Sequence, residues 1–212
     1  AHGQPVLLPR ASNEVGVEAE LVAVIGMPGR NIPRESALRH VAGYCCGNDI
    51  SARDWQLRKP GGQWLLGKSF DTFAPFGPEI VTADEVGDPG RLSIQMRLNG
   101  QVMQDSSTEQ FLFPVAELVA YVSSVCTLAP GDLLFTGTPP GVGFARKPPG
   151  SARAAKIPAA RVSALSYGRS VAMHASKVRR ESGSGVARVH AWGPSCPGAP
   201  APLCSDLIMS DK

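Results

Sequence analysis

An unbroken apolar run that carries two carboxylates near its start constrains the fold more than any other feature. It reads Val17-Glu-Ala-Glu-Leu-Val-Ala-Val-Ile-Gly26, and its β-branched residues and closing glycine predict a strand. Glu18 and Glu20 then point to the same face. Burying two unpaired carboxylates would cost several kcal/mol per ion, so a positive charge is expected between them, and a hard divalent cation is one answer. A solvated strand face is the alternative, and the Glu-x-Glu pattern alone favours it.

Other periodic segments predict an α+β protein that is rich in β-structure. Leu92, Ile94, Met96 and Leu98 alternate with polar residues, and Asn99-Gly100 follows them as a type I′ turn signal. The predicted elements are a strand over 17–26, a short helix over 33–42, a strand-like run over 43–47, a hairpin over 91–104, a helix over 113–125, a short strand over 133–137 and a rigid loop over 138–143.

The composition changes after residue 150. Residues 151–212 are rich in Ala, Ser, Arg, Pro and Gly, and their apolar residues show no period. Such a segment cannot bury enough apolar surface to offset its ordering entropy, so residues 150–212 are predicted to be a disordered tail. The tail is basic, since residues 151–212 hold 9 Lys and Arg against 3 Asp and Glu, whereas residues 1–150 hold 12 against 15. A basic arm can bind nucleic acid, but a tail without a partner is the favoured interpretation.

The chain has no apolar run of about 18 residues, so no membrane partner is predicted. The five cysteines form no Cys-x-x-Cys pair, which makes a zinc ribbon unexpected. Cys45 and Cys46 lie in an apolar run, where buried reduced thiols are usual. This cysteine pattern indicates a reducing compartment.

Three further residues outside the first strand are candidates for a site. Asp49 closes an apolar run, and Arg53 follows it with a planar guanidinium that suits carboxylates; a surface Asp-Arg pair of little consequence is the alternative. Lys68 lies inside Trp64-Leu-Leu-Gly-Lys-Ser-Phe70. A desolvated lysine near anions is a common catalytic element, and a lysine that extends from a strand edge to solvent is equally compatible with the pattern.

Four motifs in this order resemble the fumarylacetoacetate hydrolase family. They are Glu18-Ala-Glu-Leu-Val-Ala-Val-Ile-Gly26, Asn48-Asp-Ile-Ser-Ala-Arg-Asp54, Gly67-Lys-Ser-Phe70 and Thr136-Gly-Thr-Pro-Pro-Gly-Val-Gly143. Within the family, the sequence around residues 51–73 most resembles the group called fumarylacetoacetate hydrolase domain-containing protein 2. The resemblance extends from about residue 6 to residue 149, so residues 1–149 are interpreted as a partial catalytic domain and 150–212 as unrelated to it.

The resemblance implies a fold, a site and a chemistry. The fold would be the family's β-roll, here incomplete and usually dimeric. Mg²⁺, or alternatively Mn²⁺, would bind to Glu18, Glu20 and Asp49, while Arg53, Gln56, Lys68 and Thr138 would face a small 2-oxo acid, with Lys68 as the catalytic residue. Oxaloacetate keto–enol tautomerisation is the implied reaction, with acylpyruvate hydrolysis and oxaloacetate decarboxylation as alternatives. By resemblance the location would be mitochondrial, and otherwise cytoplasmic.

The chain also departs from the family pattern. Family members carry an Asn-Tyr-x-x-His segment upstream of the first metal glutamate, and this sequence begins too late to contain it. The general base for hydrolysis is therefore expected to be missing, as are the family's last strands. An inactive truncated isoform remains the third functional alternative.

Overall fold

The computed structural model describes residues 2, 4–59, 61–98, 100–145, 160–164 and 170–172, with the backbone alone for the last two segments. The strands are β1 (Val15–Gly16), β2 (Ala19–Ile25), β3 (Val41–Asn48), β4 (Ser51–Ala52), β5 (Val81–Thr82), β6 (Leu92–Leu98), β7 (Gln101–Ser107), β8 (Leu133–Phe135), β9 (Ala160–Ala164) and β10 (Ser170–Ala172). The α-helices are α1 (Arg53–Leu57), α2 (Trp64–Lys68), α3 (Ala83–Val86) and α4 (Val115–Val125). Short 3₁₀ helices span Arg34–His40, Thr108–Gln110 and Gly143–Ala145.

The strands form two four-stranded antiparallel sheets and one two-stranded ribbon. The first sheet has the order β5-β3-β2-β8 and the second has the order β10-β9-β6-β7, while β1 pairs with β4. Strand β2 lies against β6 and β9 of the second sheet. The α+β, β-rich class predicted from the sequence is confirmed.

Strand β2 is an inner strand between β3 and β8, and all seven of its residues are buried. Leu21, Ala23 and Ile25 belong to the main core between the sheets. Val22 and Val24 point the other way, into a small cluster with Cys45, Leu133 and Phe135. Glu18 and Glu20 share the face of Val22 and Val24, since side chains two residues apart lie on one side of a strand.

Helix α4 packs beside the 3₁₀ helix Arg34–His40. The hydroxyl of Ser123, which is fully buried, accepts a hydrogen bond from the Ile32 N–H at 2.9 Å. Sequence periodicity predicted α4 within two residues of its observed start. The predicted helix over 33–42 is a 3₁₀ helix instead, and β3 begins at Val41, two residues before the predicted strand.

The predicted hairpin is formed by β6 and β7, which pair from Ser93↔Ser107 to Leu98↔Gln101 with an irregularity after Met96. Its connection contains Gly100, whose φ of 83° suits a glycine. The predicted type I′ turn depends also on Asn99, which lies outside the described residues.

Two described strands lie within the segment that the sequence predicts to be a disordered tail. Strand β9 pairs with β6 over five residue pairs, from Leu92↔Ala164 to Met96↔Ala160, and β10 pairs with β9. Over 160–164 the sequence alternates apolar and polar residues, as Ala-Arg-Val-Ser-Ala, but a period this short inside an Ala-, Ser- and Arg-rich segment is a weak signal for a strand. The rest of the predicted tail falls outside the described residues, and the domain boundary at residue 149 stays a prediction.

Cys45 and Cys46 are buried and form no disulfide, as expected for reduced thiols. None of the helices in the described segments has the length and apolar character that a membrane crossing requires.

Candidate metal centre

Three chain segments meet where β2 begins. Antiparallel pairing sets Ala19 opposite Asn48, so the start of β2 lies beside the end of β3. On its other edge, β2 pairs with β8 up to Val22↔Phe135. The segment after β8 continues in the same direction, and the Thr136 N–H donates to the Leu21 carbonyl at 3.1 Å. The glutamate motif, the Asn-Asp motif and the Thr-Gly-Thr-Pro motif are therefore neighbours in space.

The carboxylates of Glu18, Glu20 and Asp49 converge. One oxygen from each lies within 4.8 Å of the others, and Glu18 and Glu20 are 7% and 2% exposed. Mg²⁺ binds oxygens at about 2.0–2.1 Å in octahedral geometry, so ligand oxygens on one ion are at most about 4 Å apart. A small adjustment of the side chains would bring the three oxygens to one ion, and the hard oxygen donors suit Mg²⁺ or Mn²⁺.

Asn48, which is fully buried, sets the backbone of this cluster. Its Oδ1 accepts from the Glu18 N–H at 3.0 Å, and the Asp49 N–H donates to the Glu18 carbonyl at 2.9 Å. These bonds continue the contact between the two strands past the last ladder pair. They hold the first and third carboxylates at a set separation.

Two cations border the cluster. The Lys68 ammonium donates to Glu18 Oε2 at 3.1 Å, to Ser51 Oγ at 2.8 Å and to Asp49 Oδ2. An Arg53 Nη2 hydrogen bonds to Glu18 Oε1, and Arg53 Nη1 donates to Gln56 Oε1 at 2.7 Å. Arg53 Nε is buried and has no partner among the described residues. The cluster thus places two positive side chains against Glu18 and one against Asp49.

Glu20 differs from the other two carboxylates. In the described part of the chain it accepts one hydrogen bond, from the Gly137 N–H at 2.7 Å. Burial, followed by the negative charges of Asp49 and Glu18, raises the pKa of Glu20 to about 8, although the Gly137 bond opposes the shift. Burial also raises the pKa of Asp49, opposed by its hydrogen bond to Lys68. Without a divalent cation, Glu20 is therefore the carboxylate that carries a proton near neutral pH.

Helix α2 brings Lys68 to the carboxylates by packing closely on α1. A Cβ at Gly67 would lie 2.8 Å from the Gln56 Cβ and 2.9 Å from the Gln56 nitrogen. Only glycine allows this approach. Gln56 in turn is buried and orients Arg53, whereas the neighbouring Asp54 accepts a hydrogen bond from the Ser12 hydroxyl at 2.5 Å.

Thr138 lies beside the glutamate strand, with its hydroxyl already engaged. It donates to the Ala19 carbonyl at 2.8 Å and accepts from Gln104 Nε2 at 2.7 Å. A substrate carboxylate, the contact implied by resemblance, could accept this proton only if Ala19 released it. Sequence reasoning missed Gln104, because one glutamine on a strand gives no signal and its partners are far away in sequence.

The family model described as "Fumarylacetoacetate (FAA) hydrolase C-terminal" matches residues 1–179. The match extends 30 residues beyond position 149, where the motif resemblance ended. A Dictyostelium discoideum protein, the fumarylacetoacetate hydrolase domain-containing protein 2 homolog, is 55% identical over 151 residues, which cover 68% of this chain and 50% of the relative. The mitochondrial oxaloacetate tautomerase fahd2 of Xenopus laevis is 54% identical over 145 residues, or 68% and 46% of the two chains. The chain therefore spans about half the length of these curated relatives.

Solved structures show the same fold. The 5-carboxymethyl-2-hydroxymuconate delta-isomerase from Mycobacterium smegmatis superposes with a TM-score of 0.70 at 36% identity, covering 86% of this chain and 65% of its own. The fumarylpyruvate hydrolase from Pseudomonas aeruginosa, in complex with Mn²⁺ and pyruvate, superposes with a TM-score of 0.66 at 36% identity. The match covers 82% of this chain and 71% of the hydrolase. The sequence match and the shared fold agree with the four motifs, and this chain belongs to the fumarylacetoacetate hydrolase family.

Proposed function

We propose that Glu18, Glu20 and Asp49 bind one Mg²⁺ or Mn²⁺ and that the chain acts on small 2-oxo acids, with oxaloacetate keto–enol tautomerisation as its reaction. The observation that carries the proposal is the convergence of the three carboxylate oxygens within 4.8 Å beside a lysine and an arginine. The P. aeruginosa relative is named as a complex with Mn²⁺ and pyruvate, and the X. laevis relative is named as an oxaloacetate tautomerase. Both names support the proposal.

The charges of the three carboxylates are balanced when no divalent cation is bound. Two cationic side chains balance two carboxylates, and a proton on Glu20 neutralises the third. Loss of that proton leaves an excess negative charge that a divalent cation would neutralise. A bound Mg²⁺ would supply Lewis acidity that favours the enolate of a 2-oxo acid over its ketone.

Lys68 is the proposed catalytic residue. Its Nζ is held by Glu18, Asp49 and Ser51, so its positive charge stays next to the carboxylate cluster. Charge that develops on the enolate oxygen of a substrate bound there is stabilised by such a fixed ammonium. The ammonium also holds a proton that can be donated to that oxygen.

Arg53 and Gln56 are the proposed substrate-binding pair. Arg53 uses two nitrogens on Glu18 and Gln56, and its buried Nε provides a further donor. The planar guanidinium of Arg53 suits a carboxylate, and the proposed partner is the second carboxylate of a dicarboxylate such as oxaloacetate. Thr138 stays a predicted contact of the substrate carboxylate, at the cost of its bond to Ala19.

The proposal is tested by the Mg²⁺-dependent decay of the ultraviolet absorbance of oxaloacetate enol. We expect Lys68→Met to slow turnover about 10²- to 10³-fold, while Mn²⁺ binding persists because the carboxylates remain. Lys59→Met is the matched control, since Lys59 lies over the Trp55 ring at 5.4 Å, away from the cluster, and it should leave the rate unchanged. A wild-type rate equal to the buffer rate would reject the activity.

A second candidate reaction is favoured by the P. aeruginosa structure, whose name describes a fumarylpyruvate hydrolase. Acylpyruvate hydrolysis should therefore be assayed in parallel by release of pyruvate. Release of pyruvate without turnover of oxaloacetate enol would make acylpyruvate hydrolysis the proposed reaction in place of tautomerisation, while the proposed metal centre would stand.

We also propose that the chain forms a homodimer, which sedimentation tests. We propose a mitochondrial location because the X. laevis relative is named as mitochondrial, and cell fractionation tests this.

A further inference from the structure

Gln104 is a buried amide on β7 that connects two of the segments around the carboxylates. Its side chain is 2% exposed. Its Oε1 accepts from the Ala19 N–H at 2.9 Å, and its Nε2 donates to Thr138 Oγ1 at 2.7 Å and to the Pro139 carbonyl at 2.7 Å. Ala19 is the residue between Glu18 and Glu20, so one side chain reaches both the glutamate strand and the loop after β8.

The same loop supplies the hydrogen bond to Glu20. Ladder pairing of β8 with β2 ends at Phe135, and two residues later the Gly137 N–H donates to Glu20 Oε2 at 2.7 Å. The Thr138 hydroxyl donates to the Ala19 carbonyl at 2.8 Å. The N–H and the carbonyl of Ala19 are therefore both bonded to one connected network, which consists of Gln104, Thr138 and the loop backbone.

The loop also lies directly on β7. A Cβ at Gly141 would come within 2.3 Å of the Met103 carbonyl oxygen and 3.3 Å of the Gln104 Cγ. The loop thus has two anchors on one strand, a backbone contact at Gly141 and the amide of Gln104. The second anchor joins that amide to Thr138 and Pro139, which precede Gly141 in the same loop.

We propose that Gln104 is a positioning residue of the metal centre: it holds the 136–141 loop in register with the glutamate strand, so that the Gly137 N–H fixes the carboxylate of Glu20. The proposal rests on the proposed function in taking the three carboxylates as the cation site. Gln104 acts through Gly137 and Thr138, and it touches neither the cation nor the substrate. A buried amide with both ends engaged is costly to replace, because its partners then lose their bonds inside the protein.

The test compares Gln104→Met, which removes all three bonds, with Gln104→Glu, which retains an acceptor for Ala19 and loses both donors. Gln101→Met on the same strand is the matched control, because Gln101 is exposed. Mn²⁺ affinity is measured by electron paramagnetic resonance well below each melting temperature, so that only folded protein contributes. We expect both Gln104 variants to lose at least tenfold in affinity and Gln101→Met to match the wild type.

A double-mutant cycle with Thr138→Val tests the route of the effect. If Gln104 acts through the loop, the double variant should bind Mn²⁺ about as weakly as either single variant. A merely structural role would lower the melting temperature and leave the affinity of the folded protein unchanged. Wild-type affinity in both Gln104 variants would overturn the proposal.

A second measurement does not depend on the metal. Amide hydrogen exchange of Gly137 should accelerate at least tenfold in Gln104→Met and stay unchanged in Gln101→Met. Wild type that fails to bind Mn²⁺ would reject the proposed function, and the exchange rate would still decide whether Gln104 positions the loop. An unchanged Gly137 rate in Gln104→Met would overturn the positioning role.

Discussion

At the scale of single residues, the centre is organised by the contrast between Glu20 and its two neighbours. Glu18 and Asp49 are paired with Lys68, and Glu18 also with Arg53. In the described part of the chain, the Gly137 N–H is the one hydrogen-bond donor to the Glu20 carboxylate, and burial raises the pKa of Glu20 to about 8. A proton and a divalent cation are therefore alternatives at the same carboxylate.

The raised pKa predicts that cation binding releases a proton at neutral pH. At pH 7 Glu20 is mostly protonated, so each Mn²⁺ bound should release close to one proton, and the affinity should increase as the pH rises to about 8. Titration calorimetry at pH 7 in two buffers of different ionisation enthalpy measures the number released. Equal apparent enthalpies in the two buffers would contradict the assignment.

The same shift predicts how stability without divalent cations depends on pH. Since the folded pKa of Glu20 lies above the model value of 4.5, the folded state binds more protons than the unfolded state between about pH 4.5 and 8. This stabilising contribution is complete below pH 4.5 and is lost as the pH rises through 8. In chelator, the melting temperature of Glu20→Gln should fall less over this range than that of the wild type. Parallel curves would show that Glu20 is not the group that titrates.

Sequence reasoning located the charged residues but not the network that holds them. Glu18, Glu20, Asp49, Arg53 and Lys68 lie in motifs whose charges interrupt apolar runs, and the structure brings all five together. Their ligand and substrate roles stay predictions. Gln104 could not be found, because its bonds span 85 residues to Ala19 and 34 to Thr138.

At the scale of secondary structure elements, the site depends on short helices packed at close range. Helix α2 has five residues, so its position comes from contact with α1 rather than from its own stability. Gly67 allows that contact. The apolar pattern of the sequence did not predict α1 or α2, because helices this short complete little more than one turn of periodicity.

Gly67→Ala should separate α2 from α1. The added methyl group overlaps Gln56, so we expect a loss of about 1–3 kcal/mol in unfolding free energy and slower enol turnover, because Lys68 moves away from the carboxylates. Urea denaturation measures the first effect and the enol assay measures the second. Gly90→Ala, whose nearest atom is the exposed Asp88 Oδ1 at 3.1 Å, is the control. A Gly67→Ala protein with wild-type turnover would show that this contact does not position Lys68.

Helix α4 offers a matched pair of serines. Ser123 is buried and accepts from the Ile32 N–H, whereas Ser124 is exposed and bonds only the Tyr121 carbonyl among described atoms. Ser123→Ala should lower the unfolding free energy by about 1–3 kcal/mol because Ile32 loses its acceptor. Ser124→Ala should change it by less than about 0.5 kcal/mol. Equal effects in urea denaturation would mean that the bond to Ile32 does not stabilise the contact between α4 and residue 32.

At the scale of the whole molecule, the core between the two sheets and the carboxylate site share strand β2. Strand β2 belongs to the main core through one face, while its other face leads to the carboxylates. The α+β class was predictable because β2 is an unbroken apolar run and because β6 and α4 have clear apolar periods. Strands β9 and β10 were not, because β9 pairs with β6, which is distant in sequence, and β10 pairs only with β9 among the described strands.

Because Glu18 and Glu20 lie at the start of β2 and Asp49 follows the end of β3, a cation bound to all three should stabilise the whole folded unit. Binding to the native state alone adds about 2.7 kcal/mol at a concentration of 100 times Kd, which corresponds to a rise of several degrees in melting temperature. Thermal melting of the wild type and of Glu20→Gln, each in chelator and in saturating Mg²⁺ at pH 8, tests this most directly. We predict that Mg²⁺ raises the melting temperature of the wild type and leaves that of Glu20→Gln unchanged. A wild type that melts at the same temperature with and without Mg²⁺ would contradict the metal centre.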